Sequence, residues 1–277
     1  MREWVAEAPL IVTEADGVRV RDENGRWYLD GVSSLWVNVL GHRRQEIDQA
    51  VIEQLGRVAH STLLGCSSPP AILLAERLVA LAPPGLTKVF YSDNGPTAVE
   101  VALKMALQYW QQVSPPRPDK TKILAFSLAY HGDTVGAVSV GGIDVFHARF
   151  GPYLFSTHKV RPPYCYRCHL NLAYPACETA CLAEVEQVLR DHRDDIAALI
   201  VEPLVYAAAG MITAPPGYLR RLRELCTRYD VLLIADEVAT GFGRTGAMFA
   251  CEREGVTPDL MAVAKGLTGG YLPLAAT

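Results

Sequence analysis

A lysine and an aspartate, each closing a short apolar run, are the residues of this chain best suited by type and spacing to covalent chemistry. Lys265 ends the run Leu260-Met261-Ala262-Val263-Ala264 and is followed by Gly266, Gly269 and Gly270. Upstream, Val231-Leu232-Leu233-Ile234-Ala235 ends in Asp236 and Glu237. Runs this short, aliphatic on both faces, mark strands buried in a parallel sheet. Such strands deliver the residues that follow them to the carboxyl edge of the sheet, where open α/β folds bind ligands. A lysine and an aspartate at neighbouring strand ends have one specific use. The lysine forms a Schiff base with pyridoxal phosphate (PLP), and the aspartate keeps the pyridine nitrogen protonated, making the ring an electron sink. The competing reading is a solvated strand-end lysine beside an unrelated acidic turn.

Other groups could serve the same site. Asp93-Asn94-Gly95-Pro96-Thr97 follows the strand-like Lys88–Ser92 and opens an amphipathic helix over Ala98–Gln112. A helix start offers unpaired N–H groups and a positive dipole end, and Gly95 lets the backbone approach a phosphate. Pro96 suits the first helical position but brings no N–H, so Thr97 and Ala98 are the expected donors. The same turn also occurs in α/β proteins with no ligand. Tyr130, in Tyr130-His131-Gly132-Asp133-Thr134, either stacks on a planar cofactor or packs within its loop. Glu202-Pro203 and Asp236-Glu237 stand at strand ends and could equally cap the helices that follow. Arg244, on the glycine-rich loop after Asp236, suits a substrate carboxylate or a surface ion pair.

Cys165-x2-Cys168 and Cys177-x3-Cys181 are close to zinc-ligand spacing and sit in a segment that also holds Tyr164, Tyr166, His169 and Tyr174. A structural zinc would staple that loop. The preferred reading is four reduced thiols with no metal, as a cytosolic chain can hold them. Cys66, Cys226 and Cys251 read as small buried hydrophobes.

The elements that must position these residues follow from the patterning. Residues 18–30 alternate around Asn24-Gly25, a hairpin. Helical periodicity runs over Gln45–Val58 and Ala71–Leu81, the second stopped by Pro83-Pro84. Lys122–Phe126 and Ala197–Val201 read as strands, and Ala180–His192 and Gly217–Tyr229 as helices. Strands alternating with helices from Lys88 onward predict an α/β fold, a mostly parallel central sheet with helices on both faces. The hairpin breaks that alternation and belongs to part of a smaller α+β domain. Residues 1–45 are therefore assigned to the small domain and 46–277 to a large PLP-binding domain.

Half of the 277 residues are hydrophobic, a fifth are charged and the net charge is −4. That balance is ordinary for a globular protein and gives no sign of a nucleic-acid or anionic-membrane partner. Met1–Glu7 is acidic where a signal peptide would be apolar, and no apolar stretch approaches the ~20 residues of a membrane helix. A cytoplasmic location is expected. The chain starts abruptly, with Trp4 and Val5 near the terminus, and stops in the apolar Tyr271–Thr277, which reads as a strand cut short. A fragment is expected.

Together these segments resemble the class III (ω-) aminotransferases of the PLP-dependent transferase fold type I, over nearly the whole chain. The carriers are residues 30–36, 97–110 and 130–137, and above all Leu233-Ile234-Ala235-Asp236-Glu237-Val238-Ala239-Thr240-Gly241-Phe242-Gly243-Arg244-Thr245-Gly246 and Lys265-Gly266-Leu267-Thr268-Gly269-Gly270. Ser34-Leu35-Trp36 and Gln108-Tyr109-Trp110 tilt the resemblance toward members of biotin synthesis. Those members aminate 8-amino-7-oxononanoate, with S-adenosylmethionine or lysine as donor. The alternatives are a class III enzyme acting on a diamine, a β-amino acid or taurine with pyruvate as acceptor, or a non-catalytic fragment.

The resemblance implies that Lys265 bears the cofactor and moves the α-proton, and that Asp236 pairs with the ring nitrogen. Tyr130 would cover the ring or line the substrate pocket, and Gly95, Pro96, Thr97 and Val238 would contact the cofactor. Leu35, Trp36 and Arg244 would contact substrate. Pro96 departs from the family's usual serine. The family continues beyond Thr277 with the rest of the small domain, a threonine lent to the partner subunit's phosphate and a carboxylate-binding arginine. A homodimeric parent, and an incomplete site in this chain alone, are therefore expected.

Overall fold

A polar turn seeds the first sheet. The computed structural model describes residues 8–277, so Trp4, Val5 and the rest of residues 1–7 lie outside it. The Asp22 carboxylate accepts the backbone N–H groups of Asn24 (2.9 Å) and Arg26 (2.8 Å) and the hydroxyl of Tyr28 (3.0 Å). This Asx turn reverses the chain at Asn24-Gly25, where Gly25 takes φ +81°. Strands β1 (Val12–Asp16), β2 (Arg19–Asp22) and β3 (Trp27–Leu29) form an antiparallel sheet in that order. The hairpin is as the sequence predicts. β1 is an addition, since its Val12-Thr13-Glu14-Ala15-Asp16 carries a weak apolar signal.

Helices α1 (Gln45–Leu55) and α2 (Pro69–Leu81) follow, the second with proline in its first turn. α1 buries none of its residues and α2 only Leu78, so Ile52, Leu55, Ile72 and Leu73 remain exposed. Of the strand expected over Lys88–Ser92, the structure keeps β4 (Tyr91–Ser92) and the two backbone hydrogen bonds that Phe90 exchanges with Thr277. Helix α3 (Gly95–Gln112) comes next, one turn longer at its start than its periodicity suggests, because Asn94 caps it.

The main sheet is built from β5 (Lys122–Phe126), β6 (His158–Val160), β7 (Ile196–Val201), β10 (Leu232–Asp236) and β11 (Leu260–Ala262). Its order is β11-β10-β7-β5-β6 and every pairing is parallel. Between these strands lie α4 (Val135–Val140), α5 (Leu182–His192), the short pair β8 (Val205–Tyr206) and β9 (Ile212–Thr213), and α6 (Tyr218–Arg228). Side chains alternate between the two faces. Ile123, Ala125, Ala198, Ile200 and Ile234 pack with Ala98, Ala102 and Ala106 of α3. Leu124, Phe126, Leu199, Val201 and Leu233 pack with Val185 and Leu189 of α5 and Leu219 and Leu222 of α6. Burial on both faces explains the uninterrupted apolar runs. The three alanines let α3 lie close, and Trp110 locks it by donating Nε1–H to the Ala197 carbonyl at 2.8 Å.

The terminal apolar segment is mostly not a strand. β12 (Ala275–Ala276) pairs antiparallel to β4, Thr277 exchanges backbone hydrogen bonds with Phe90, and Ala276 also bridges Val263 beyond β11.

Lys120 ties the amino edge of the sheet together. Its side chain is buried, and Nζ donates to the carbonyls of Arg193 (2.7 Å), Ile196 (2.9 Å) and Asp230 (2.7 Å). The ammonium also lies 4.4 Å from the centroid of the Trp110 ring. Burial pulls its pKa down to about 8. Lys120→Met keeps the aliphatic stem but strips three carbonyls of their donor. An unsatisfied buried acceptor costs ~1–3 kcal/mol, so the variant should lose at least ~3 kcal/mol. Denaturant titration should show a lower midpoint at unchanged slope; an unmoved midpoint would show that these bonds carry no stability.

Candidate active site

At the carboxyl edge of the sheet the ends of β7, β10 and β11 open onto a cavity of about 460 Å³. Trp36, Gly95, Pro96, Tyr130, Asp236, Val238 and Lys265 all line it. A larger cavity of about 580 Å³ lies along the 141–169 segment. The converging ionisable groups, not volume, assign the site to the first.

Lys265 reaches the cavity because the chain turns sharply out of β11. Val263 is held by a bond from its N–H to the Ala276 carbonyl (2.9 Å), and Lys265 then adopts φ +42°. That left-handed conformation is uncommon outside glycine and marks a backbone held by its surroundings. The ammonium lies 5.6 Å from the centroid of the Trp36 ring. Burial pulls the Lys265 pKa below the ordinary lysine value; the charges of Asp236 and Glu202 oppose the pull and Arg244 adds to it. More of the amine is therefore free base, the nucleophilic form, than in an exposed lysine.

Asp236 ends the strand next to β11. One carboxylate oxygen accepts the Val238 N–H at 3.0 Å and the other lies 2.6 Å from Nδ1 of the buried His131. His131 Nε2 is buried with no partner among the described residues. Glu237, on the opposite face of the strand, accepts the Cys251 N–H at 2.8 Å and the Thr240 hydroxyl, fixing the loop between them. Asp236 holds its own loop, whereas Glu237 reaches the first turn of the 3-10 helix Ala250–Glu254, because the chain leaves β10 through a loop that returns to it.

Glu202 also holds a loop. It accepts the N–H of Tyr130 (2.9 Å) and of Ala207 (3.0 Å), and burial raises its pKa to about 7. Tyr130 is thereby set on the cavity wall with its hydroxyl donating to Asp133 at 2.9 Å, and its ring stacks on His147 at 6.0 Å. Its pKa is pushed up to about 12, first by burial and then by Asp133. The phenol therefore stays protonated across the working range and acts as a donor.

At the start of α3 the expected phosphate donors are already engaged. The Thr97 N–H donates to the Asn94 side chain and the Ala98 N–H to the Asn94 carbonyl, both at 3.1 Å. The Thr97 hydroxyl in turn accepts the Asn94 N–H. Asn94 reaches over the turn and completes a capping box, so the Gly95 N–H is the one left without an acceptor among the described residues. Gly95 is pressed by Val238: a β-carbon there would sit 2.7 Å from Val238 Cγ1.

Three other expectations shift. Leu35 is 65% exposed and lies off the cavity, because residues 33–36 wind in left-handed conformations that bring Trp36 alone inward. Arg244 donates to the Trp36 carbonyl at 2.6 Å and so positions the indole from behind. Cys66 is exposed, whereas Cys226 and Cys251 are buried. Cys165, Cys168, Cys177 and Cys181 are free thiols that line one small cavity with His169. Their sulfurs do not form a set closed to within 4.8 Å, as one shared ion requires. His131 as a partner of Asp236 and Glu202 as a support for Tyr130 carry no sequence signal beyond the motifs Tyr130–Thr134 and Glu202-Pro203; only pairing across the sheet edge exposes their roles.

The family model described as aminotransferase class-III matches residues 1–277. The chain is 55% identical over 278 residues to the adenosylmethionine-8-amino-7-oxononanoate aminotransferase of Geobacter sulfurreducens, covering all of this chain and 61% of that protein. It is 56% identical to the one of Nitratidesulfovibrio vulgaris, covering 51% of it. The chain thus spans roughly half to three-fifths of these relatives' length. Among solved structures, the Methanocaldococcus jannaschii enzyme of the same name superposes with a TM-score of 0.91 at 44% identity, over 99% of this chain and 60% of that one. An (S)-enantioselective omega-transaminase from Thermomicrobium roseum gives 0.93 at 38% identity, over 99% and 61%.

The contact between Gly95 and Val238 can be tested directly. Gly95→Ala should displace the start of α3 and weaken PLP binding at least ~10-fold, a change of ~1.4 kcal/mol. Pairing it with Val238→Ala removes the clashing methyl groups and should restore most of the affinity. Wild-type affinity in Gly95→Ala, read by absorbance titration, would remove this helix start from the phosphate site.

Proposed function

The chain belongs to the class III aminotransferases, and from that premise we propose that it serves PLP-dependent transamination of 8-amino-7-oxononanoate, with S-adenosylmethionine or lysine as amino donor. The carrying observation is the neighbouring placement of Lys265 and Asp236 at one sheet edge, both on one cavity. The names of the relatives at 55% and 56% identity support the acceptor. Class III aminotransferases use PLP, and the donor set fits it. Lys265 offers an amine of lowered pKa, Asp236 a buried carboxylate, and Gly95 an uncommitted N–H at a helix start.

When bound, PLP supplies an aldehyde for amines and a ring that withdraws electrons from the neighbouring carbon. Lys265 would hold the aldehyde carbon, Asp236 the ring nitrogen, and Gly95 with the start of α3 the phosphate. Lys265 Nζ would take up and return the proton of the substrate's α-carbon, a role that its lowered pKa favours. The Asp236 carboxylate would face a cation on the ring nitrogen. Such a pair is worth ~4 kcal/mol at 4 Å for an effective dielectric near 20. His131 fixes the carboxylate's orientation, Trp36 walls the substrate side, and Tyr130 lines the cavity with its hydroxyl held by Asp133.

Residues 1–45 would belong to a small domain and 46–277 to the large one, in keeping with the separate sheet of β1–β3. A homodimeric, cytoplasmic enzyme is the form we assign to the full protein. The exposed apolar residues of α1 and α2 suit a covering partner, and no helix among the described residues is long and apolar enough to cross a membrane. The second reading, another ω-transaminase, draws on the likeness to the Thermomicrobium roseum structure. A donor screen separates them: turnover of 8-amino-7-oxononanoate with S-adenosylmethionine or lysine favours the first, and turnover of a diamine, β-alanine or taurine with pyruvate the second.

Two variants test the residue roles. Borohydride reduction of the PLP-loaded protein should fix the cofactor to Lys265, as mass spectrometry can read, and Lys265→Ala should bind PLP yet lose transamination. A label on Lys104 or Lys122 would end the assignment. In the full-length protein, Asp236→Asn keeps the shape but removes the charge. Losing ~4 kcal/mol corresponds to several hundred-fold or more in rate; unchanged turnover would count against the role.

A further inference from the structure

A second ionisable cluster lies at the opposite, amino edge of the main sheet, and the chemistry above does not use it. His158 opens β6, His192 closes α5, and Asp195 directly precedes β7. One ligand atom from each lies within 4.8 Å of the other two, and no other group of three or more His, Cys, Asp or Glu does so among the described residues. The imidazole centroids are 4.2 Å apart. His158 Nε2 is 3.5 Å from one Asp195 oxygen and His192 Nδ1 is 3.8 Å from the other.

These separations are long for hydrogen bonds, which weaken beyond ~3.2 Å, but close to those between ligands of one ion. Metal–ligand bonds of ~2.0–2.2 Å at tetrahedral angles place donor atoms ~3.3–3.5 Å apart. Among the described residues, His158 Nε2 and the second Asp195 oxygen are moreover buried without a hydrogen-bond partner, a condition that calls for a physical reason.

The backbone holds the three residues in place. The Asp195 carbonyl accepts the N–H groups of Thr121 and Lys122, both at 2.8 Å, and the Asp195 N–H donates to the His192 carbonyl at 3.1 Å. His158 is fixed by its pairing with Leu124. The ligands therefore come from an edge strand, a helix end and the entry to a central strand, preorganised before any ion arrives.

We propose that His158, His192 and Asp195 bind one divalent transition-metal ion, zinc in the first instance, which staples edge strand β6 to the end of α5. Two imidazoles and a carboxylate suit zinc, cobalt, nickel or copper over magnesium or calcium. The side chains of His192 and Asp195 are 45% and 41% exposed, so water completes the coordination and ions can enter. Binding needs neutral imidazoles and weakens in acid.

The test is calorimetric titration of the metal-stripped 277-residue chain with zinc chloride alone, then with cobalt chloride under an absorbance spectrum. One equivalent should bind, with a rise in melting temperature that chelator reverses. His192→Gln, at an exposed helix end where folding is not at stake, should weaken binding at least ~10-fold, a change of ~1.4 kcal/mol. His158→Ala should abolish it, and Cys168→Ala should leave it unchanged. Overturning results are no binding by the wild-type chain, equal affinity in His192→Gln, or thiolate-to-cobalt charge-transfer bands that vanish in Cys168→Ala, which would assign the ion to the cysteine loop.

Discussion

The parallel pairing of β10 between β7 and β11 is the constraint on which the site depends. Ile234 stands opposite Leu260 on one side and Ile200 on the other, so the three strands finish at one edge in step. In a pleated strand a shift of one residue sends every side chain to the other face. Slipping β10 by one would exchange Asp236 for Glu237 at the cavity and send each apolar residue of β10 from one core to the other. The small residues of α3 and the larger ones of α5 and α6 fit the two faces differently, and that asymmetry holds the register.

Burial then decides the chemistry of the charged groups. Lys265, Glu202, Asp236 and His131 converge where little water reaches, and Lys265 and Glu202 shift in opposite senses. Lys265 is pulled toward free base and Glu202 toward its protonated form, while Asp236 keeps a backbone donor and an imidazole. Glu202 and His131 need not touch a substrate to matter. One fixes the loop that carries Tyr130, and the other fixes the carboxylate that faces the cavity.

Opposite edges of the same sheet each carry uncommitted polar atoms, but only the amino edge adds the Lys120 lock. At the carboxyl edge, groups are held with bonding capacity to spare: the Gly95 N–H and His131 Nε2 have no partner among the described residues. At the amino edge, Lys120 spends its ammonium on three carbonyls and locks the strands. Rigidity at one end supports precise placement at the other.

Much of this was legible in the residues alone. The runs before Asp236 and Lys265 are apolar on both faces, so a buried parallel sheet, and the edge to which both charges are delivered, followed from burial alone. Asn24-Gly25 and Pro83-Pro84 marked a reversal and a helix end because backbone preference is local. What only the tertiary structure decided lies in contacts between segments far apart in the chain. His131 meets Asp236 across 105 positions and Glu202 meets the Tyr130 N–H across 72. Thr97 is lost as a donor because Asn94 occupies it, and Leu35 leaves the cavity because its turn winds left-handed. Periodicity reports which face of an element is buried; which polar atom finds which partner depends on the three-dimensional packing of elements that the sequence lists one after another.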